Sequence, residues 1–329
     1  MRFPLSIGLL FLLSANILCQ NTPKPPLDSD HDGISDSVEN DLLTRFAPQF
    51  MVSPDDCSNA PALFVPSRSN PVVEDDNGTI YSQAFPRANW VELHYYHLWR
   101  RDCGEMGHDL DAEHVSALLQ YDRDIGEWRA LYWYAAAHEN TICDASQMAR
   151  GATVDAEITG ARIWISPRKH ASFLDQKICT HGCGGDRCER MAPLTMKSLI
   201  NLGEPSAPMN GAVWVDSPAW PLADKLRRTD FTQSRIDRLE RLPETDIAWT
   251  NPGKRPVQSV ILGGNDALGG AATGARATNT ALVVADDNTG AALDSTTTST
   301  GNALTKSFRG VTKALRKTVT NTGKAIGID

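Results

Sequence analysis

The chain lacks a surplus of positive charge: 32 Lys and Arg face 40 Asp and Glu, leaving a formal −8 over 329 residues. That balance argues against general affinity for nucleic acid, whose backbone calls for a cationic surface. Beyond the first twenty residues it also lacks any apolar run of the about 18 residues that a membrane-crossing helix needs. Familiar catalytic signatures are missing too. There is no Gly-x-Ser-x-Gly elbow, no His-Glu-x-x-His pair and no glycine loop shaped to cradle phosphate. Catalysis is left without a motif, though not excluded. What remains is ordinary globular material, 41% hydrophobic and 22% charged, enough to bury a core.

The first twenty residues carry Arg2 and then Ile7-Gly8-Leu9-Leu10-Phe11-Leu12-Leu13, a pattern expected of a secretory signal peptide that is removed. Cys19 follows Asn16-Ile17-Leu18, which lacks the small residue that precedes a lipid-modified cysteine, so plain export to an extracellular or periplasmic space is expected. Six cysteines remain: Cys57, Cys103, Cys143, Cys179, Cys183 and Cys188. In an oxidising compartment an even number reads as three disulfides of undetermined pairing. Cys179, His181, Cys183 and Cys188 also have the spacing of a small zinc knuckle, which stands as an alternative.

After a proline-rich lead-in (21–27), the segment Asp28-Ser-Asp30-His-Asp32-Gly33-Ile34-Ser-Asp36-Ser-Val-Glu39 matches the EF-hand-like calcium loop position by position. Asp28, Asp30 and Asp32 offer carboxylates and Gly33 allows the sharp turn. Ile34 offers its carbonyl, Asp36 reaches through water, and Glu39 closes the shell with two oxygens. Val38, Leu42, Leu43 and Phe46 then recur at helical spacing until Pro48 ends the pattern. A calcium clasp leading into a short helix is expected over 21–48.

From Trp90 to Trp214 the dominant period is two, in segments rich in aromatic and β-branched residues and separated by Gly, Asp, Asn and Pro. Strands are expected at Val91–Tyr95, His114–Gln120, Trp128–His138, Arg162–Ile165 and Ala212–Val215. The fold class is therefore mainly β, an antiparallel β-sandwich-like domain over 49–255 with a few flanking helices, one of them around Ile236, Leu239 and Leu242. Residues 256–303 are Gly, Ala, Thr, Asn and Ser with few large apolar groups and read as a disordered linker. Residues 304–329 place Leu304, Phe308, Val311, Leu315 and Val319 on one stripe amid Lys and Arg, a cationic amphipathic helix suited to anionic surfaces or to its own acidic domain.

The chemistry-bearing stretch is Gly107-His108-Asp109-Leu110-Asp111-Ala112-Glu113. Strand side chains alternate faces, so Asp111 and Glu113 share one, followed there by Val115, Ala117 and Leu119. Two neighbouring carboxylates on an apolar face call for a counter-ion, and His108 with Asp102 completes an oxygen-rich shell with one imidazole. A solvated acidic turn is the alternative. His138 ends an aromatic strand and His170 lies just after Arg162–Ile165, both where strands run out into loops that can converge.

These landmarks resemble two families. Arg45-Phe-Ala47-Pro48, the segment Gly107 to Val115, the Tyr-rich strand ending in His138 and His170-Ala171-Ser172-Phe173 resemble, over residues 40 to 225, the ordered landmarks of the vacuolar protein sorting-associated protein 62 family. The Gly-His-x-x-Asp-x-Glu arrangement is similar to the heptapeptide of the necrosis-inducing secreted toxins, β-sandwiches that hold a divalent metal and bind plant sphingolipid sugars. That resemblance implies His108, Asp111 and Glu113 as ligands of Ca2+ or Mg2+, with Asp102 as the fourth. Ala112 stands where both families have tryptophan, and Leu110 where the toxins have a second histidine. The combined expectation is an exported calcium-binding protein that recognises a surface glycan or lipid headgroup. Two other readings stay open: a metal-assisted hydrolase with His138 or His170 as base, and a membrane-associating or cytolytic protein acting through its C-terminal helix.

Overall fold

The computed structural model describes residues 26–251 except 105–106, 142, 181, 183–185, 205–206, 212–216, 221–222, 224 and 227–228. The expected signal peptide, Gly/Ala/Thr-rich linker and cationic helix, and the expected strand at Ala212–Val215, lie outside the described residues.

In chain order the elements are α1 (Asp36–Arg45), β1 (Gln49–Val52), β2 (Leu63–Phe64), β3 (Val73–Asp75), β4 (Thr79–Arg87), β5 (Trp90–Arg101), β6 (Asp109–Asp122), β7 (Glu127–Ala135) and β8 (Gln147–Arg150). There follow a 3-10 turn at Gly151–Val154, β9 (Arg162–Ile165), β10 (Ser172–Phe173), α2 (Gln176–Thr180), β11 (Ala192–Pro193), β12 (Ser198–Asn201), β13 (Gly203–Glu204), β14 (Ala207–Pro208), α3 (Gln233–Glu240) and β15 (Ala248–Trp249). The chain is mainly β, as its two-residue period implies.

Seven strands form the large sheet in the order β12-β4-β5-β6-β7-β8-β15, and β10-β9-β1-β11 form a smaller one. Pairing is antiparallel except β12 with β4 and β1 with β9. The odd-numbered residues of β5 and β6 face the smaller sheet. Val91, Leu93, Tyr95 and Trp99 pack with Val115, Ala117 and Leu119 against Phe50, Val52, Ile163 and Ile165 of β1 and β9. Leu42, Leu43 and Phe46 of α1 join the same cluster, and the Tyr95 hydroxyl donates to Leu43 O at 3.0 Å. The helix that leaves the acidic loop is thereby fixed to the core, as the Leu42, Leu43 and Phe46 spacing predicts.

Alternation along β5 and β6 does not separate a dry face from a wet one, because both faces are covered. On the outer face Tyr96, Leu98 and Ala112 pack with Trp220 and Leu226, while Leu118, Tyr134 and Met148 pack with Phe231, Leu239 and Leu242. This explains why β5 and β6 extend beyond the expected spans at Val91–Tyr95 and His114–Gln120. Strands buried on both sides read as continuous apolar and aromatic runs instead of a clean alternation. Strand β7 stops at Ala135, three residues before the expected end at His138, and His138 itself turns away with a left-handed backbone (φ 50°).

Two disulfides join Cys57 to Cys103 and Cys179 to Cys188, and Cys143 is disulfide-bonded as well. Bonding of Cys179 to Cys188 removes two of the four ligands from the alternative zinc knuckle; disulfide use wins there.

Candidate functional site

The chain concentrates charge at two opposite ends of β6. Between Glu113 and Tyr121 the strand spans about 26 Å, so the two clusters are independent in space. At one end sits the acidic loop. Asp28, Asp30 and Asp32 bring carboxylate oxygens within 4.8 Å of one another. Gly33 sits at φ 96°, a left-handed conformation that a side chain strains, and its amide donates to Asp28 Oδ2 at 3.2 Å, while Ile34 N donates to Asp32 Oδ1 at 2.7 Å. Glu39 is fully buried one helical turn into α1, and neither of its carboxylate oxygens has a hydrogen-bond partner, nor has Asp28 Oδ1. Burial, reinforced by the charges of Asp30, Asp32 and Asp36, pushes the Glu39 carboxyl up to about 8. Asp36 plays a different part. Ser29 donates to both of its oxygens, through N at 2.7 Å and Oγ at 2.6 Å, and the hydroxyl's bond holds this carboxyl below its usual value. Asp36 thus closes the loop from outside, consistent with an indirect position in the shell.

Between the loop and the strand ends is a groove of about 1010 Å3 lined by Gly33, Ile34, Trp90, Tyr121 and Trp128 among others. Its aromatic residues are partly exposed, with Trp90 37% and Tyr121 45% accessible.

The other end of β5 and β6 carries the sequence-predicted cluster. Trp99 pairs with Asp111 and His97 with Glu113, so both carboxylates lie on the inner face, each only 8% exposed. Asp111 Oδ2 accepts from His170 Nδ1 at 3.0 Å, and His170 lies flat on Trp99 with ring centroids 4.1 Å apart. His170 Nε2 faces Asp56 Oδ2 at 3.8 Å. Glu113 Oε2 has no hydrogen bond but stands 3.6 Å from Lys225 Nζ, whose ammonium donates to Ala112 O at 2.6 Å. Burial drives the Glu113 carboxyl well above its ordinary range; Lys225 opposes this and Asp111 adds to it. His138 Nε2 meets Asp186 Oδ2 at 2.8 Å. Burial disfavours its charged form, yet Asp186, and then Glu113, outweigh that and raise it above an ordinary imidazole.

Asp102 and His108 sit at the rim. Gly104 N donates to Asp102 Oδ1 at 2.6 Å, and Asp102 N donates to His108 O at 2.8 Å. Gly107 lets these turns close: a Cβ there would stand 2.3 Å from Asp102 O. The His108 side chain is 60% exposed, with Nε2 4.0 Å from Asp102 Oδ2. The four residues expected as ligands share one edge but do not close into a group of three with all ligand atoms within 4.8 Å, as the acidic loop does. Within the chain, Glu113 faces Lys225 and Asp111 accepts from His170. The structure therefore brings together Asp111, Glu113, His138 and His170 and leaves His108 facing solvent.

As bases, the two inner histidines are poorly placed. His170 is clamped through Nδ1 and stacked on Trp99, and His138 holds its proton against Asp186. Lys225, Asp186 and Asp56 were not legible as members of this cluster, since each arrives from a distant loop.

No protein-family model and no curated protein matches the chain, so the resemblance to the vacuolar protein sorting-associated protein 62 family finds no support. Solved structures do match. One described as NLPPya in complex with mannosamine is 19% identical over 64% of this chain and 87% of its own, with a TM-score of 0.34. Another, described as a toxin fold for microbial attack and plant defense, is 16% identical over 63% and 96%, with a TM-score of 0.36. A third, Necrosis and Ethylene inducing Protein 2 from the causal agent of cocoa's Witches Broom disease, is 20% identical over 56% and 86%, with a TM-score of 0.35. The third bears the name of the group that Gly107–Glu113 resembles. Likeness at this level fixes neither fold nor function, and both rest on the geometry above.

Proposed function

We propose that the chain is an exported β-sandwich, clasped by calcium at its N-terminal loop, that recognises a hydroxyl-rich sugar at the strand-end cluster with help from a divalent cation. The observation that carries this reading is the concentration of backbone strain around that cluster. Of the eight non-glycine residues with left-handed φ among the described residues, five stand around Asp111 and Glu113: Leu110 at the start of β6, and His138, Asn140, Arg168 and His170 in loops. Such conformations cost on the order of 1–3 kcal/mol each and persist where surrounding structure holds side chains in a required arrangement.

The chemistry of the cluster selects the ligand class. Asp56, Asp102, Asp111, Glu113, Glu139 and Asp186 outnumber Lys169, Lys225 and Arg168, so a phosphate headgroup is repelled while neutral or amino-substituted sugar hydroxyls find acceptors and donors together. Asp111, Glu113, Asp102 and His108 would hold the cation, and at the other end Asp28, Asp30, Asp32, the Ile34 carbonyl, Asp36 and Glu39 would hold calcium. The bare buried oxygens of Glu39 and Asp28 fit a hard cation that takes oxygen ligands. A bound ion supplies open coordination positions for sugar hydroxyls.

The test is calorimetric titration of the full chain with glucose, glucosamine and inorganic phosphate, with and without calcium or magnesium. Sugar binding that needs the cation and disappears in Asp111→Asn and Glu113→Gln supports the reading. Phosphate binding in preference to sugar, or sugar binding untouched by either substitution, overturns it. The groove beside Trp90 and Tyr121 is an alternative sugar platform; binding lost in Trp90→Ala but kept in Glu113→Gln would move the site there.

A further inference from the structure

We propose that His94, His114 and Asp230 form a zinc site, separate from both clusters above, that fastens the segment entering α3 onto the outer face of the large sheet. All three residues are fully buried, and their ligand atoms lie within 4.8 Å of one another. His94 and His114 project from the neighbouring strands β5 and β6 with rings parallel, 6.1 Å apart at 9°. Asp230 comes from a loop more than a hundred residues away.

Glu92 sets which nitrogen of His94 carries hydrogen. His94 Nε2 stands 2.9 Å from Glu92 Oε1, an oxygen that also accepts from Asp230 N, so Nε2 is the donor. Both Glu92 oxygens already accept from other donors, Oε1 from Asp230 N at 2.7 Å and Oε2 from Thr229 Oγ1 at 2.7 Å and Arg87 Nε at 3.2 Å, so His94 faces an acceptor. In a neutral ring the lone pair is then on Nδ1. That nitrogen is buried, has no hydrogen bond, and faces Asp230 Oδ2 at 3.7 Å. Two acceptors pointed at each other in a dry site call for a cation between them.

The geometry suits zinc. Two nitrogen or oxygen ligands of one tetrahedral zinc stand roughly 3.3 Å apart, given bonds of about 2.0–2.1 Å. The two separations here, 2.9 Å from His114 Nε2 to Asp230 Oδ2 and 3.7 Å from His94 Nδ1 to the same oxygen, bracket that value. Two imidazoles with one carboxylate favour zinc over calcium or magnesium, and Glu92 behind His94 is the carboxylate–histidine arrangement that orients a metal-bound ring. When zinc takes the lone pair of His114 Nε2, the proton that nitrogen now donates to Asp230 passes to Nδ1 of the same ring, so the ligand remains a neutral imidazole. Ser116 Oγ, which donates to Asp230 Oδ2 at 2.7 Å, keeps the carboxylate aimed at the site. A proton on His94 Nδ1 would answer the same need, and metal analysis separates the two.

The full chain, purified from zinc-supplemented expression and dialysed against a weak chelator, is analysed for metal by mass spectrometry, and the stripped chain is titrated with cobalt while its visible spectrum is followed. Expected are about one zinc per chain and the intense absorption of tetrahedral cobalt. Both should be lost in His94→Gln and Asp230→Asn and retained in Asp30→Asn and Glu113→Gln. If His94→Gln fails to fold, Glu92→Gln serves in its place, lowering zinc affinity roughly 10–100-fold with stoichiometry unchanged. A folded wild-type chain that neither contains zinc nor develops a cobalt spectrum overturns the proposal, as does zinc that follows Glu113 instead of His94.

Discussion

Lys225 Nζ stands 3.6 Å from Glu113 Oε2 while donating to the backbone oxygen of Ala112 at 2.6 Å. An internal ammonium thus faces one of the two carboxylates of the Asp111/Glu113 pair, and a cation bound there competes with it. Removing one partner of a buried ion pair strands the other charge, whereas removing both is nearly neutral. Lys225→Met should therefore cost about 2 kcal/mol at neutral pH, less than a fully stranded charge because Glu113 can take up a proton. Lys225→Met with Glu113→Gln should recover most of that loss. In the single variant, added magnesium or calcium should raise the melting temperature more than in the wild type. A double variant no more stable than the single one would refute this coupling.

Calcium at the acidic loop has its own pH signature. In the empty loop Glu39 stays protonated up to about 8, so cation binding must release a proton below that value. Calcium stabilisation should accordingly grow as pH rises from about 6 to about 8 and flatten above. At a hundredfold excess over the dissociation constant the gain is about 2.7 kcal/mol. Thermal melts with EGTA and with calcium at several pH values measure it, and Asp30→Asn should abolish the difference. A calcium shift independent of pH would contradict the buried Glu39.

The convergence of Asp28, Asp30 and Asp32 was legible because these acidic residues are local in sequence, alternating around one tight turn. The mainly β fold was legible for a similar reason, through the aromatic and β-branched runs of β5 to β7. Partners brought from afar were not. Nothing near His170 in sequence points to Asp111, and nothing near His114 points to Asp230, which lies 116 residues on. Covering of both sheet faces also hid Glu92, His94 and Ser116, which alternate with the core residues of β5 and β6 and form a buried polar network on the other face. The pair Asp111 and Glu113 was placed correctly on one face; its actual partners, His170 and Lys225, were decided by loop packing.

His97 supplies a second pH dependence with the opposite molecular cause. Trp99 Nε1 donates to its Nδ1 at 2.8 Å and its Nε2 donates to Ser172 Oγ at 2.8 Å, so the ring is neutral and satisfied. Burial, then the charges of His170, Lys225 and His114, hold it well below an ordinary imidazole. The unfolded chain binds this proton near pH 6.5 and the folded chain does not. Stability contributed by the neutral ring is complete above about 6.5 and falls as pH drops below it, by up to about 1.4 kcal/mol per pH unit. Denaturant unfolding of wild type and His97→Gln between about pH 7 and pH 5 isolates the contribution. Equal slopes in the two proteins would count against it.

The Cys57–Cys103 disulfide ties the turn at Asp56 to the rim at Asp102 and closes a 46-residue separation. Asp56 accepts from Arg168 N at 2.9 and 3.0 Å, and Cys103 N donates to Arg168 O at 2.9 Å, so the bond gathers three loops around His170. Loop-closure entropy for this length corresponds to about 4 kcal/mol. Cys57→Ser with Cys103→Ser should lose stability of that order. It should also loosen Arg168 and His170, whose left-handed backbones need the surrounding contacts to persist. Hydrogen exchange at the amides of 102–104 and 168–172 should then accelerate more than at the centre of β6, because local opening frees the loops before the sheet. Uniform acceleration across loops and sheet would mean that the bond adds only global stability, and that other contacts hold the strained geometry around Asp111.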